Sequence, residues 1–132
     1  MDFSFLHTMI RVNNLEESLT FYRDLLGMNV IKNTEYPDGK FTLVFLGYGE
    51  DKNTPMIELT YNWDTHSYDL GNAFGHIALG VSDIYATCNT LKEKGVKITR
   101  EPGQMKFGGS VIAFIEDPNG YKIELIQKKS DV

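Results

Sequence analysis

Short runs of alternating polar and apolar residues, interrupted by two stretches of helical spacing, extend along the whole chain. Over 6–12 the alternation predicts a strand that carries His7 and Arg11 on one face. Apolar residues then recur at helical spacing over 15–26, and Gly27 ends that pattern. Three further strands are predicted over 28–33, 41–46 and 56–62. The first half of the chain therefore has the order βαβββ.

The second half repeats this order of elements. A predicted strand over 74–81 carries His76, and a helix over 83–94 follows and ends at Gly95. The interval from histidine to glycine is nearly the same in the two halves (27 − 7 = 20 and 95 − 76 = 19). The remaining strands are predicted over 96–99, 110–115 and 121–127. The repeat indicates an α+β fold of two βαβββ modules within one domain, 1–132, with modules over about 4–62 and 74–128 and a linker over about 63–73.

A glutamate interrupts the last strand of each module. Glu58 and Glu124 lie among strand-forming residues, where a carboxylate needs water, a cation or a hydrogen-bond partner. They follow His7 and His76 at similar intervals (58 − 7 = 51 and 124 − 76 = 48). A solvent-facing strand, with Glu124 paired to a nearby lysine, explains either glutamate alone, but the repetition favours a metal site. Two imidazoles and two carboxylates suit Zn²⁺, Ni²⁺, Co²⁺ or Fe²⁺ better than Ca²⁺ or Mg²⁺.

Composition narrows the classes of function. The 132 residues are 42% hydrophobic and 23% charged, as in an ordinary soluble domain. A net charge of -5 gives no basic field, so nucleic acid is not an expected partner. No apolar run approaches the ~20 residues of a membrane span, and no signal peptide is recognised, so a cytoplasmic location is expected. Cys88 is predicted to lie in the core and His66 in a solvated loop.

The sequence resembles the glyoxalase I family of the vicinal oxygen chelate superfamily, in its short bacterial form. The resemblance extends over nearly the whole chain and is carried by residues 6–12, 21–22, 26–28, 45–49, 57–63, 75–78 and 117–125. It implies two βαβββ modules whose sheets curve into a half-open barrel. It also implies a homodimer with the metal at the subunit interface.

The resemblance assigns roles to the duplicated residues. The implied metal ligands are His7, Glu58, His76 and Glu124. The implied reaction converts the hemithioacetal of glutathione and methylglyoxal into S-lactoylglutathione by proton transfer through an enediolate. Glu124 would be the base that moves the proton, Glu58 its counterpart for the other substrate face, and His76 would also lie against the substrate.

Further residues match positions that contact the glutathione moiety in the family. Arg11 and Asn62 are two of them, and Lys106 and Phe107 fall where another contact is expected. Their alternative roles are a surface ion pair for Arg11 and a turn-capping amide for Asn62. The segment 103–109 is expected to be a flexible loop, which makes the alignment of Lys106 less definite.

Departures from the family pattern bear on the metal and on the alternatives. Larger members have an arginine shortly before the Gly75–His76 pair, where this chain has Leu-Gly-Asn-Ala at 70–73. The insertion and the N-terminal extension of the zinc-dependent form are also missing, so Ni²⁺ is favoured, with Co²⁺ and Zn²⁺ as alternatives. A drug-sequestering binding module, an extradiol dioxygenase and a coenzyme A ester epimerase are the competing functions within the superfamily.

Overall fold

A computed structural model of the protein describes residues 1–51 and 53–129. The chain divides between Asp69 and Leu70 into two compact units. The first contains β1 (His7–Val12), α1 (Leu15–Leu19) continued by a π-helical segment (Thr20–Leu25), β2 (Asn29–Tyr36), β3 (Phe41–Gly47) and β4 (Met56–Asn62). The second contains β5 (His76–Val81), α2 (Ile84–Glu93), β6 (Lys97–Gln104), β7 (Val111–Glu116) and β8 (Lys122–Gln127). The predicted α+β class and the repeated βαβββ order are confirmed.

Each unit has one four-stranded mixed sheet with the same topology. The strand order is β1-β4-β3-β2 in the first unit and β5-β8-β7-β6 in the second. In both sheets the first strand of the unit runs parallel to the last, and the other neighbours are antiparallel. The strand that begins with a histidine therefore lies directly beside the strand that carries the glutamate.

One face of each sheet forms the core, because alternate strand residues point to opposite faces. In the first unit the buried strand residues are Ile10, Val12, Val44, Leu46, Ile57 and Leu59. In the second they are Ala113, Ile115, Ile123 and Leu125, while Ile112 is buried on the opposite face, two residues before Phe114. Burying a large aliphatic side chain of this kind contributes roughly 1.5–3 kcal/mol. The opposite face carries the histidines and glutamates, which leaves it open for chemistry.

Helix α2 covers its sheet through one apolar stripe. Ile84, Cys88 and Leu91 recur at helical spacing and are all buried. Cys88 is only 1% exposed, and burial raises the pKa of its thiol. The prediction that this cysteine belongs to the core is confirmed.

Matching residues begin and end the two helical segments. Asn14 Oδ1 accepts from the backbone N–H three residues later at 3.1 Å, and Asp83 Oδ1 does the same at 3.1 Å. Such N-caps stabilise a helix by about 1 kcal/mol. Gly27 and Gly95 follow the helical segments with φ of 76° and 85°, a left-handed conformation that side chains disfavour.

Three predicted elements need correction. The first helix is α-helical only to Leu19, because the next turn is closed by longer bonds such as Leu26 N–H to Phe21 O at 2.9 Å. β2 was predicted to end at residue 33 but continues to Tyr36, whose ring stacks on Phe41 at 4.8 Å. Apolar spacing alone signals neither feature.

β6 is the third correction, since it was predicted over 96–99 and continues through Gly103 to Gln104. The expected loop therefore starts only after Gln104. Pro102 and Gly103 look like strand breakers, but the register with β7 shifts between Arg100 and Gly103, and an irregularity of this kind accommodates proline. The guanidinium of Arg100 also bridges the strands by donating to the carbonyls of Gly103 and Ile112.

Within the described residues no helix has the length and apolar character needed to cross a membrane.

Candidate active site

The first unit brings a histidine and a glutamate together on the open face of its sheet. Parallel pairing of β1 with β4 sets Glu58 opposite Met9, which places His7 on the same face, two residues away. His7 Nε2 lies 2.8 Å from Glu58 Oε2. The glutamate side chain is only 13% exposed and the histidine 32% exposed. A carboxylate buried to this degree needs such a partner. We call these two residues the first His–Glu pair.

The second unit builds the same pair from β5 and β8. Glu124 lies opposite Ala78, so His76 again reaches the carboxylate from two residues away. His76 Nε2 lies 3.2 Å from Glu124 Oε1, with side-chain exposures of 41% and 14%. Pairing of Glu124 with Lys122, one explanation open at the sequence level, is not observed, because the ammonium group of Lys122 lies 3.5 Å from Glu116. We call these two residues the second His–Glu pair.

A phenylalanine completes each pair and was missed by the sequence analysis. Phe45 is the cross-strand neighbour of Glu58, and its ring meets His7 edge-on at 5.2 Å and 79°. Phe114 is the neighbour of Glu124 and meets the other histidine at 5.4 Å and 78°. Both phenylalanines follow their histidine by the same interval (45 − 7 = 38 and 114 − 76 = 38). That interval could have identified them as part of the repeat.

The donor atoms of each pair fit a transition-metal ion. When two donor atoms each lie about 2.1 Å from one metal ion and form a right angle at that ion, they are about 3.0 Å from each other. The observed nitrogen–oxygen separations, 2.8 and 3.2 Å, lie on either side of that value. Imidazole nitrogen with carboxylate oxygen is also the donor set that such ions accept. Among residues 1–51 and 53–129, no cluster of three or more His, Cys, Asp or Glu side chains is found. Each pair therefore offers two donor atoms that could hold part of a metal site.

The two carboxylates differ in their next neighbour along the strand. Thr60 Oγ1 lies 3.5 Å from Glu58 Oε1, at the limit of a hydrogen bond. The corresponding position after Glu124 is Ile126, which has no hydroxyl group (60 − 58 = 2 and 126 − 124 = 2). The first carboxylate therefore has a hydroxyl group beside it, and the second has an aliphatic side chain.

Two of the residues predicted to contact substrate lie on the face of the first His–Glu pair. Arg11 is exposed on β1 and lies opposite Thr60, and Asn62 ends β4 on the same face. The amide of Asn62 donates to the hydroxyl of Tyr68 at 2.9 Å. Tyr68 follows β4 in a segment without a periodic pattern, so this contact could not be predicted from residue spacing.

Two more residues predicted to contact substrate, Lys106 and Phe107, lie in the turn between β6 and β7. Lys106 Nζ lies 5.4 Å from the centre of the Phe107 ring, and Phe107 is 95% exposed. β6 is the edge strand of its sheet, with β7 and β8 between it and β5. These two residues contact each other, and their contact with substrate stays a prediction.

His66 is exposed, as predicted for a loop residue. It lines a surface cavity of about 560 Å³ in the first unit, together with Trp63 and Thr42. The indole Nε1 of Trp63 donates to Thr42 Oγ1 at 2.9 Å, so the polar groups in this wall bond to each other.

The chain belongs to the Glyoxalase/Bleomycin resistance protein/Dioxygenase superfamily, whose family model matches residues 4–125. Within this superfamily it is similar to lactoylglutathione lyases. It is 58% identical to "Lactoylglutathione lyase" of Neisseria meningitidis, over 95% of this chain and 91% of that protein. It is 62% identical to "Probable lactoylglutathione lyase" of Synechocystis, over 95% of each chain. The resemblance to the glyoxalase I family found in the sequence is confirmed.

A solved structure extends the similarity to three dimensions. Glyoxalase I from Zea mays superposes with a TM-score of 0.90 at 43% sequence identity, and the match includes 96% of this chain. This chain spans 45% of the maize chain.

Proposed function

We propose that this protein is a metal-dependent lactoylglutathione lyase. It converts the hemithioacetal that forms from methylglyoxal and glutathione into S-lactoylglutathione. The duplicated His–Glu pair is the observation that carries this proposal, because it supplies metal ligands and two carboxylates from one repeated framework. The 58–62% identity to proteins named as lactoylglutathione lyases supports the choice of this reaction within the superfamily.

The two pairs together would hold one divalent ion through His7, Glu58, His76 and Glu124. Such an ion, when bound, would supply a positive charge that attracts the neighbouring oxygens of the substrate and acidifies the C–H bond beside them. Ni²⁺ is the favoured ion, with Co²⁺ and Zn²⁺ as alternatives, because the chain resembles the short bacterial form. The short nitrogen–oxygen separations within each pair support binding of one ion by both donor atoms of the pair.

Glu124 is the base of the proposed reaction. It takes the proton from one substrate carbon and returns it to the neighbouring carbon, so the step is an isomerisation without net oxidation or reduction. The resemblance to the glyoxalase I family supports this choice, and the residue two positions after Glu124 is the apolar Ile126, where Glu58 has the hydroxyl group of Thr60. Glu58, with the Thr60 hydroxyl nearby, is the counterpart for the other substrate face.

The face of the first His–Glu pair would bind the glutathione moiety. Arg11 offers a guanidinium group for a carboxylate, and Asn62, oriented by Tyr68, offers an amide for the peptide groups. Lys106 and Phe107 would add a contact from the turn between β6 and β7, and His76 would lie against the reacting oxygens. Only the position of each side chain in its own unit supports these roles.

A homodimer would assemble the complete site. In this arrangement the first His–Glu pair of one protomer meets the second pair of its partner, which gives two equivalent sites per dimer. The resemblance to the glyoxalase I family supports this arrangement. A cytoplasmic location fits a substrate made from a thiol that is abundant inside cells.

The proposal is tested by thioester formation from methylglyoxal plus glutathione. Chelator-stripped protein is resupplied separately with Ni²⁺, Co²⁺ and Zn²⁺, and thioester absorbance is followed. We expect activity to return with Ni²⁺ and Co²⁺ and to stay low with Zn²⁺. Stripped protein without added metal is the control. Metal binding without activity on any thiol would contradict the lyase assignment and favour a binding module of the same fold.

A further inference from the structure

A cavity of about 330 Å³ lies in the second unit, where β5 and β8 begin. Its lining includes Leu70, Asn72, Phe74, Gly75, Tyr121 and Lys122. The rings of Phe74 and Tyr121 lie 5.9 Å apart and form an aromatic wall. Lys122 is the only charged side chain among the described residues that line it. Small-molecule sites have volumes of roughly 300–1,000 Å³, so this cavity is large enough for one arm of a small peptide.

The cavity lies at the end of the sheet where the strand that carries His76 begins. Gly75 directly precedes His76, and Lys122 is the cross-strand neighbour of that histidine. Neighbouring strands lie about 4.8 Å apart, and directly opposed residues point to the same face. Glu124 follows Lys122 by two residues on that face. A molecule that reacts at the His–Glu pair can therefore extend into the cavity.

Lys122 brings a positive charge to the cavity lining, and Glu116 and Lys97 lie next to it. Its ammonium group lies 3.5 Å from Glu116 Oε1, and the ammonium group of Lys97 lies 3.4 Å from Glu116 Oε2. One carboxylate between two ammonium groups leaves a net charge of +1. Lys97 is 71% exposed and is not part of the cavity lining, whereas Lys122 is. Glu116 thus orients Lys122 without neutralising the cluster.

We propose that Lys122 binds a carboxylate of the substrate's glutathione moiety in this cavity and thereby contributes to the choice of thiol. This inference rests on the proposed function, because it assumes that the substrate reacts at the second His–Glu pair. Glutathione carries two carboxylates, one on its glycine residue and one on its γ-glutamyl residue. A carboxylate bound by an ammonium group beside an aromatic wall is held more firmly than in water.

The test compares Lys122→Met with Lys97→Met, which removes the other lysine bound to Glu116 and leaves the cavity lining intact. Steady-state kinetics are measured with glutathione, and binding of S-methylglutathione is measured by calorimetry. We expect Lys122→Met to raise KM and the calorimetric Kd about tenfold, the size of one charged hydrogen bond, with kcat within about twofold. Lys97→Met should leave KM and Kd unchanged. Lys122→Arg keeps the positive charge and should give KM and Kd close to the wild-type values.

Two thiol analogues identify the carboxylate. Glutathione ethyl ester lacks the charged glycine carboxylate, and 4-aminobutyryl-cysteinylglycine lacks the γ-glutamyl carboxylate. The increase in KM caused by Lys122→Met should disappear with the one of these two thiols that lacks the carboxylate bound by Lys122. Equal losses with all three thiols, or equal effects of the two methionine variants, would overturn the inference while leaving the lyase assignment intact. Wild-type protein that neither converts glutathione nor binds S-methylglutathione would contradict the proposed function, and this inference with it.

Discussion

The two modules share one framework but present different side chains around it. Each has a histidine, a glutamate and an edge-on phenylalanine in the same register of the sheet. Four residues after the histidine, the first module has Arg11 and the second has Gly80. Four residues after the glutamate, they have Asn62 and Lys128. The duplicated histidines and glutamates are the proposed metal ligands, whereas the differing positions include Arg11 and Asn62, the proposed substrate contacts.

Gly80 shows how the second module differs locally. A Cβ at this position would lie 2.9 Å from Cγ of Lys128, whose side chain passes over the glycine. Such a separation is too short for carbon atoms in contact. The side chain of an arginine, as in the first module, would therefore displace Lys128. The two faces cannot be made equivalent by exchanging one residue.

The largest expected difference between the modules is catalytic. Glu124→Gln should lower kcat about 10³-fold, because the amide cannot accept the proton. For Glu58→Gln the expected loss of kcat is at least ten times smaller, because Glu58 acts only as the counterpart of Glu124 for the other substrate face. Stopped assays with each variant, at a measured metal content, check this. Equal losses for both variants with metal retained would remove Glu124 from its special role.

The second comparison concerns substrate affinity. Arg11→Met should raise KM for the hemithioacetal about 20-fold, because a charged hydrogen bond to substrate is lost. Lys128→Met, at the other module's periphery, should change KM less than about twofold. Steady-state kinetics at fixed Ni²⁺ concentration compare them. Equal effects would show that the two faces contribute alike.

The edge-on phenylalanines should matter equally in both modules. Phe45→Leu and Phe114→Leu each remove a ring that positions a histidine, a contact worth about 0.5–1.5 kcal/mol. We expect each to weaken Ni²⁺ binding about fivefold with little change in folding. Competition with a chromogenic chelator measures the affinity. If only one variant lost affinity, the framework would not be functionally duplicated.

The smallest expected effects are on stability. Asn14→Ala and Asp83→Ala each remove an N-cap and should each lower the free energy of unfolding by about 1 kcal/mol. Urea denaturation followed by circular dichroism measures the change. Asn14→Asp and Asp83→Asn serve as controls, because each keeps a side-chain oxygen that can accept the hydrogen bond of the N-cap. A loss several-fold larger at one cap would mean that the helices are not equivalent parts of the repeat.

The sequence predicted most of the framework, because the repeat carries its signal twice. Alternation located the strands with His7, Glu58, His76 and Glu124, and capping residues located the helices. The π-helical turn was missed because its local backbone hydrogen bonds between residues five apart leave no sign in the apolar spacing. The extension of β6 past Pro102 was missed because it depends on a register shift against β7. Of the site, the two pairs followed from spacing.

Contacts set by loops did not follow from spacing. Tyr68 orients Asn62 from a segment without periodicity, so no pattern could reveal it. Lys122 reads as one more solvent-facing strand residue, and only the cavity beside it suggests a role. Residues on regular strands were therefore predictable, whereas partners supplied by irregular segments required three-dimensional information.

In the proposed dimer, one His–Glu pair from each module forms a metal site that two protomers share. This arrangement is tested most directly by mixing two inactive variants, one with His7→Ala and Glu58→Ala, the other with His76→Ala and Glu124→Ala. The heterodimer would contain one intact site, so subunit exchange should restore about a quarter of wild-type activity and Ni²⁺ binding. Each variant alone should show neither. A mixture whose subunits exchange but which stays inactive and binds no Ni²⁺ would contradict the claim.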